Sequence, residues 1–228
     1  GETATAPEPV LLPATFAGLR ASNATRVVYV VDASGSMIGA LPVVIEELAR
    51  SLRSMTPQQE FAIIFFQRNE AVPVPPRGQL TPARPAEQAR AIGWIRENVL
   101  PRGRSNPLTA MEAALRLRPD VVFLLSNTIT GSGEFEINRD QLLNLLDELN
   151  PVDRLTGRRR TQIKCIQFLE EDPLQTLRLI AEAHGGPDGF RFIPRKELSS
   201  SDAANGIPIA PAPAPPVERG PRGGGANR

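Results

Sequence analysis

The sequence predicts an α/β protein in which one mostly parallel, doubly wound β-sheet carries helices on both faces. Apolar runs of strand length recur along the chain, and several are apolar at consecutive rather than alternate positions. Strands with that pattern are buried on both faces, which is typical of parallel sheets. Stretches with helical periodicity separate the runs. This alternation predicts helices that cover both faces of the sheet.

Five apolar runs are predicted to form the strands. They are RVVYVV (26–31), FAIIFF (61–66), VVFLLS (121–126), TQIKCIQF (161–168) and FRFI (190–193). The segment AVPVPP (71–76) predicts a short edge strand, because proline cannot donate a hydrogen bond within a sheet and is confined to its edges. We therefore expect a central sheet with one irregular edge.

Helical periodicity predicts five helices between these strands. They cover about 40–54, 84–99, 107–117, 138–149 and 173–184. In the first of them Leu41, Val44 and Leu48 recur on one face, which predicts the side that packs on the sheet.

The length of 228 residues suits one domain with tails, and we place that domain at 23–198. Residues 1–22 lack periodicity and predict an N-terminal linker, with Phe16 and Leu19 as the residues that could pack on the domain. Residues 199–228 have an Ala-Pro and then Gly-Arg composition that cannot build a core. They predict a disordered tail.

Charge and composition narrow the class of partner. The formal net charge of +1 argues against a general nucleic-acid binder, and we expect a monomer that binds no nucleic acid. No run of 18 apolar residues is present, so no membrane span is predicted within this chain. The single cysteine, Cys165, excludes an internal disulfide and lies in an apolar run, where we expect it to be buried.

The first predicted strand ends in an acid that is followed by two hydroxyls at alternate positions, in the stretch DASGS (32–36). Asp32, Ser34 and Ser36 can place their oxygens on one side of a loop, and Gly35 relieves the backbone between them. Oxygen ligands without histidine or cysteine favour Mg²⁺ or Mn²⁺ over Zn²⁺. The same stretch is also good turn and helix-capping chemistry, so taken alone it is a weak signal.

Other readings of this loop lack their required residues. A dinucleotide site needs Gly-x-Gly-x-x-Gly and a phosphate loop needs Gly-Lys-Ser/Thr, and neither follows the strand. A serine hydrolase needs a base, and the only histidine, His184, lies before a glycine stop at the end of a predicted helix. There a histidine is expected to cap carbonyls rather than to act in catalysis.

The stretch VVYVVDASGSM (27–37) resembles the Asp-x-Ser-x-Ser motif of von Willebrand factor type A (VWA) domains, which is their metal-ion-dependent adhesion site (MIDAS). GRSNPLTAMEAAL (103–115) is similar to the second metal loop of that family, and DVVFLLSNTITG (120–131) resembles the strand that normally ends in Thr/Ser-Asp-Gly. The segment 177–193 is similar to the closing helix and strand. The resemblance covers about 24–195 and implies a Rossmann-like α/β fold, of bacterial type, with a metal at the top of the sheet.

The resemblance implies roles for five residues of this chain. Ser34 and Ser36 would bind the metal directly, and Asp32 would bind it through water. Ser105 stands where the family has threonine, and Thr109 is the alternative if the loop register differs. Asn127 stands where the family has a second aspartate, and would act through water. Because Asn127 carries no charge, we expect weak binding of Mg²⁺ or Mn²⁺.

The resemblance implies a non-catalytic, metal-dependent interaction module in which an acidic side chain of a partner protein completes the coordination of the ion. Asn127 keeps an alternative open, a metal-free scaffold that forms the soluble part of a membrane-anchored or cell-envelope protein. If the protein is not part of the cell envelope, we expect a cytoplasmic location. A metal-dependent hydrolase is the third hypothesis, although the sequence supplies no base near the loop.

Overall fold

A computed structural model describes residues 12–127, 129 and 139–199 of the chain. Residues 1–11 of the predicted linker and residues 200–228 of the predicted tail lie outside the described residues. The strands are β1 (Ala14–Phe16), β2 (Leu19–Ala21), β3 (Arg26–Asp32), β4 (Glu60–Gln67), β5 (Glu70–Pro73), β6 (Thr81–Pro82), β7 (Val121–Ser126), β8 (Gln162–Leu169) and β9 (Phe190–Pro194). The helices are α1 (Leu41–Ser54), α2 (Pro85–Asn98), α3 (Leu108–Arg116), α4 (Arg139–Leu149), α5 (Thr176–His184) and α6 (Arg195–Ser199).

The central sheet has the strand order β5-β4-β3-β7-β8-β9, and β6 pairs with β4. Strands β4, β3, β7, β8 and β9 are parallel to their neighbours, whereas β5 and β6 pair antiparallel with β4. The antiparallel β5 is the proline-containing edge strand that the sequence predicted. The observed architecture confirms the predicted fold class, a mostly parallel sheet with helices on both faces.

Alternate residues of the central strands face two separate cores. Tyr29 and Phe123 belong to the core beneath α1 and α2, whereas Val30 and Leu124 belong to the core beneath α3, α4 and α5. Each of these four side chains is fully buried. Burial on both faces explains why the strands are continuously apolar.

Part of the predicted N-terminal linker (1–22) forms a short β-hairpin over 14–21. β1 and β2 pair antiparallel, and Phe16 is fully buried with its ring edge-on to Tyr29 at a centroid distance of 5.2 Å. The Phe16 ring also packs edge-on to Phe123 at 5.8 Å. Three-residue strands are too short for periodicity to reveal, but the expected packing of Phe16 and Leu19 is confirmed.

Helix α5 begins three residues later than predicted, because Asp172 closes a turn in front of it. The two carboxylate oxygens of Asp172 accept hydrogen bonds from the Leu174 and Thr176 amides, both at 2.9 Å. Gln175 adopts a left-handed conformation with φ of 51°. A side chain that binds nearby amides in this way competes with the helix and delays its start.

Cys165 is fully buried in β8, as expected, and burial raises the pKa of its thiol. Within the described residues, no helix combines the length and the apolar character needed to cross a membrane.

We predict that Phe16→Ala lowers the free energy of unfolding by about 3 to 5 kcal/mol, because it leaves a cavity beside Tyr29 and Phe123. Urea denaturation of the purified variants measures this loss. Leu155→Ala is the control, since Leu155 is 97% exposed and its truncation should change stability by less than about 0.5 kcal/mol. Equal stability of Phe16→Ala and wild type would show that the hairpin is not part of the cooperative unit.

Candidate functional site

The carboxyl edge of the sheet, where its parallel strands end, carries the polar residues singled out by the sequence. Strand β3 lies between β4 and β7, and its last residue, Asp32, is in register with Phe66 of β4. On the other side Val31 is in register with Leu125, so the next pair along the strands is Asp32 and Ser126. Ligand sites in open α/β sheets lie beyond this edge.

Asp32 is fully buried and accepts hydrogen bonds at both carboxylate oxygens. Its Oδ2 accepts from the Ser105 hydroxyl at 2.7 Å and from the Ser126 hydroxyl at 2.6 Å. Its Oδ1 accepts from the Ser34 backbone amide at 2.7 Å. Three segments of the chain therefore meet on one carboxylate.

The loop after β3 orders the two serines of the DASGS stretch. Gly35–Met37 form a single 3₁₀ turn, closed by a hydrogen bond from the Met37 amide to the Ser34 carbonyl at 3.0 Å. The turn brings the Ser34 and Ser36 hydroxyl oxygens to 3.0 Å from each other. Ser34 is buried and Ser36 is exposed, so this pair leads from the buried carboxylate to the surface.

Backbone hydrogen bonds tie the loop before α3 onto the DASGS loop. The Gly35 amide donates to the Gly103 carbonyl at 3.0 Å, and the Arg102 amide donates to the Ala33 carbonyl at 3.0 Å. Gly103 has φ of +70°, and a Cβ at this position would lie 2.2 Å from Cγ of Arg68. Glycine is thus required both for the backbone conformation and for the close approach.

Burial raises the pKa of the Asp32 carboxyl above its ordinary value. Hydrogen bonds from Ser126, Ser105 and Ser34 oppose that effect, because they stabilise the ionised form. No arginine, lysine or histidine of the described residues forms an ion pair with Asp32. A cation next to the carboxylate would therefore supply the counter-charge that the described side chains do not provide.

The structure brings four of the five predicted site residues into one hydrogen-bonded group. Asp32, Ser34 and Ser105 are linked directly, and Ser36 joins through Ser34. Ser105 rather than Thr109 faces the carboxylate, since the exposed Thr109 hydroxyl donates to the Asn69 carbonyl at 3.3 Å.

Asn127 is the fifth predicted residue, and it lies next to the group without a hydrogen bond to it. It follows Ser126 at the end of β7 and is 6% exposed. Its buried side-chain oxygen, Oδ1, has no hydrogen-bond partner among the described residues. A buried acceptor normally binds a protein donor, an ordered water or an ion, and the described residues provide no protein donor for this one.

Ser126 belongs to the group but was not among the predicted site residues. Its hydroxyl donates to Asp32 and lies 3.2 Å from the Ser105 hydroxyl oxygen. The signal was available in part, because Ser126 is the first polar residue after the apolar run VVFLL. Its contact with Asp32 could not be read from the sequence, since it depends on β7 being the neighbour of β3.

The chemistry of this group, which we call the Asp32 cluster (Asp32, Ser34, Ser36, Ser105 and Ser126), suits a hard cation. Its possible metal ligands are hydroxyl oxygens and one carboxylate, which are ligand types that Mg²⁺ and Mn²⁺ prefer. In the part of the chain that the structure describes, no three His, Cys, Asp or Glu side chains come together at a possible metal site. The cluster thus has the right kind of ligand but little negative charge.

His184 lies at the opposite, amino edge of the sheet, where α5 ends. The Asn150 side-chain amide donates to its Nδ1 at 3.3 Å, and its Nε2 lies 3.5 Å from Oδ1 of Asp147. Burial and the nearby Arg159 guanidinium lower the His184 pKa to about 4, which Asp147 only partly opposes. His184 is therefore a buried structural residue, and it cannot serve as a base for the serines of the Asp32 cluster.

Comparison with known proteins identifies the architecture. No protein-family model matches the chain, and no curated protein matches it. Among solved structures, it is similar to von Willebrand factor type A from Catenulispora acidiphila, with 20% identity, a TM-score of 0.59 and coverage of 82% of this chain and 42% of that chain. It is also similar to the SpRpn10 VWA domain, with 14% identity, a TM-score of 0.55 and coverage of 82% and 100%.

A third similar structure is proximal thread matrix protein 1 from the mussel byssus, solved with a zinc-occupied MIDAS motif. The identity is 17%, the TM-score is 0.51, and the match covers 80% of this chain and 44% of that chain. The chain thus spans less than half the length of the Catenulispora and mussel chains. At these identities the likenesses show the fold, and the chain has the fold of VWA domains.

We predict that the His184 environment makes stability depend on pH. Because the pKa is about 4 in the folded protein and 6.5 in the reference state, the unfolded chain binds more protons between these values. Stability should therefore fall by about 1 to 2 kcal/mol as pH drops from 6.5 towards 4, allowing for solvent screening. Urea unfolding at several pH values should show this slope in wild type and a shallower one in His184→Gln. Identical slopes would contradict the prediction.

Proposed function

We propose that this VWA fold is a non-catalytic protein interaction module that depends on a divalent cation. Ser34, Ser36 and Ser105 would hold Mg²⁺ or Mn²⁺ directly, and Asp32 and Asn127 would act through water. An acidic side chain of a partner protein would complete the coordination shell. The cation would supply a positive centre at the carboxyl edge that attracts the partner's carboxylate.

The observation that carries this proposal is the convergence of hydroxyl oxygens on a buried carboxylate. The Ser105 and Ser126 hydroxyls donate hydrogen bonds to Asp32, so the lone pairs of their oxygens remain available to bind a cation or a water. The side-chain oxygen of Asn127, the residue after Ser126, has no hydrogen-bond partner among the described residues and would be a further acceptor. The MIDAS motif of the similar mussel protein was solved with zinc, which makes Zn²⁺ a third ion to test.

The charge of the cluster explains why a partner would matter. One carboxylate leaves a bound divalent cation with a net charge of about +1 at the site, and affinity for a hard cation rises with the charge of its ligands. A partner carboxylate supplies the missing negative charge. We therefore propose weak cation binding to the chain alone and tighter binding when an acidic partner is present.

The absence of catalysis is part of the proposal and rests on the position of the titratable side chains. His184 lies at the far edge of the sheet, and Cys165 is buried in β8. A hydrolase would need a base near the Asp32 cluster. Turnover of an ester or phosphoester substrate that is lost in Asp32→Ala would favour the hydrolase hypothesis instead.

A metal-free scaffold is the second candidate function, and one specific observation favours it. Asp32 already accepts hydrogen bonds from two hydroxyls and one amide. These hydrogen bonds stabilise the ionised carboxylate even when no ion is bound. In such a scaffold the serines would have a purely structural role, and interactions would lie elsewhere on the surface.

We predict that millimolar Mg²⁺ or Mn²⁺ raises the melting temperature of wild type and leaves that of Asp32→Ala unchanged. A ligand that binds only the folded state stabilises it, by about 1 kcal/mol if the ion is at about five times its Kd. That corresponds to a shift of about 2 to 4 °C for a chain of this size. Thermal unfolding with chelator and then with each ion measures the shift.

Glu148→Ala is the control for that experiment, because it removes one exposed acid from α4 without touching the cluster. It should keep the shift of wild type. If no ion shifts wild type, the metal-dependent function is wrong and the scaffold is favoured. An equal shift in Asp32→Ala would place the ion outside the cluster.

We predict that Asn127→Asp strengthens binding of Mg²⁺ about tenfold or more, because it adds a second carboxylate beside the cluster. In chelator the same variant should be less stable than wild type, since two buried carboxyl groups repel each other when ionised. Thermal unfolding across an ion titration tests both effects. Asn23→Asp, in the exposed turn before β3, is the control and should show neither. Unchanged ion affinity in Asn127→Asp would exclude Asn127 from the site.

A further inference from the structure

We infer that the face around the Asp32 cluster binds an acidic protein segment that carries at least two carboxylates and an apolar side chain. The inference rests on the proposed function for the position of the first carboxylate. The second carboxylate and the apolar side chain are recognised by exposed residues around the cluster. We call these residues the rim, and they are Ile38, Arg68, Leu100 and Arg102.

The rim residues belong to three loop segments that meet at the carboxyl edge, 33–40, 67–69 and 99–107. The Arg102 amide donates to the Ala33 carbonyl, and the Arg68 amide donates to the Arg104 carbonyl, both at 3.0 Å. These bonds join each segment to the next. The backbones of the three loop segments are therefore joined to one another around the Asp32 cluster.

The rim carries positive charge that its own loops do not neutralise. Arg68 and Arg102 are exposed, and neither forms an ion pair within the described residues. The three loop segments themselves contain no aspartate or glutamate, and the acids directly beside them in the sequence are Asp32 and the exposed Glu70. On the helices, by contrast, Arg90 and Arg96 pair with acids.

Both rim arginines contact neutral groups. With its amide oriented to satisfy both neighbours, Gln67 donates to the Leu100 carbonyl at 2.9 Å and accepts from the Arg102 guanidinium at 3.1 and 3.3 Å. The Arg68 side chain lies against Gly103, where no Cβ would fit. The Arg102 guanidinium is thus positioned without an acidic partner among the described residues, which suits it to a carboxylate from outside.

Two large aliphatic side chains lie on the same rim. Ile38, directly after the 3₁₀ turn, is 71% exposed, and Leu100, before Arg102, is 68% exposed. Exposed aliphatic groups beside unpaired cations fit a segment with alternating acidic and apolar residues. A nucleic-acid phosphate would use the arginines and leave both aliphatic side chains in water, and the net charge of +1 gives it no long-range attraction.

A fluorescein-labelled peptide with three glutamates and one leucine in a Gly/Ser background tests the inference. The matched peptide has glutamine in place of each glutamate. Fluorescence anisotropy at low salt, with Mg²⁺ and then with chelator, measures both affinities. We expect wild type to bind the glutamate peptide at least about tenfold more tightly than the glutamine peptide, and to lose affinity as salt rises.

Substitutions at the two edges of the sheet isolate the rim. Arg68→Gln/Arg102→Gln should weaken binding of the glutamate peptide about tenfold or more, because both arginine contacts to its carboxylates are lost. Arg154→Gln/Arg158→Gln is the matched control, since it removes the same charge from exposed arginines at the amino edge. It should change affinity less than twofold. Leu100→Ser should weaken binding about threefold or more, and Leu155→Ser, at the same amino edge, should not.

The outcomes separate this inference from the proposed function. Equal losses in the two double variants, or equal binding of the two peptides by wild type, would overturn the inference. If Mg²⁺ shifts the melting temperature but the rim variants bind the peptide as wild type does, the inference alone is wrong. If no ion shifts wild type and rim-dependent binding persists in chelator, the metal-dependent function is wrong and the rim is retained.

Discussion

Asp32 is fully buried at the end of a central strand, and a buried carboxylate needs hydrogen-bond donors. The loops at the carboxyl edge of the sheet must therefore be arranged to provide them. The donors to Asp32 come from the loop that follows it, from the loop before α3 and from the end of the neighbouring strand β7. An unsatisfied buried carboxylate would cost several kcal/mol. The arrangement of three chain segments is therefore coupled to one side chain.

The strand order makes this convergence possible. Because β3 lies between β4 and β7, its carboxyl end is surrounded by loops on both sides. The Ala33 amide donates to the Phe66 carbonyl of β4 at 2.9 Å, while Ser126 reaches Asp32 from β7. The two buried cores hold these strands in register from above and below the sheet. The cluster thus depends on packing that lies far from it in sequence.

Local sequence patterns predict most of the fold and several residues of the candidate site. They do not predict features that depend on contacts between segments distant in sequence. The strand that ends in Asp32 was predictable because it is continuously apolar. Ser34 and Ser36 were singled out by their spacing after that strand, whereas Ser105 was predicted only through the resemblance to VWA domains. The hairpin at 14–21 was not predictable, since its strands are too short for periodicity and are stabilised by burial of Phe16 against Tyr29. Ser126 was missed because its role follows from strand order.

Charge links the cluster to the rim in the proposed function. Asn127 leaves Asp32 as the one carboxylate of the cluster, while Arg68 and Arg102 add positive charge nearby. Both features weaken the attraction for a cation and strengthen the attraction for an anion. An anionic segment bound at the rim would therefore favour the cation, and the cation would favour the segment by the same factor. A site built in this way responds to the partner and the ion together rather than to the ion alone.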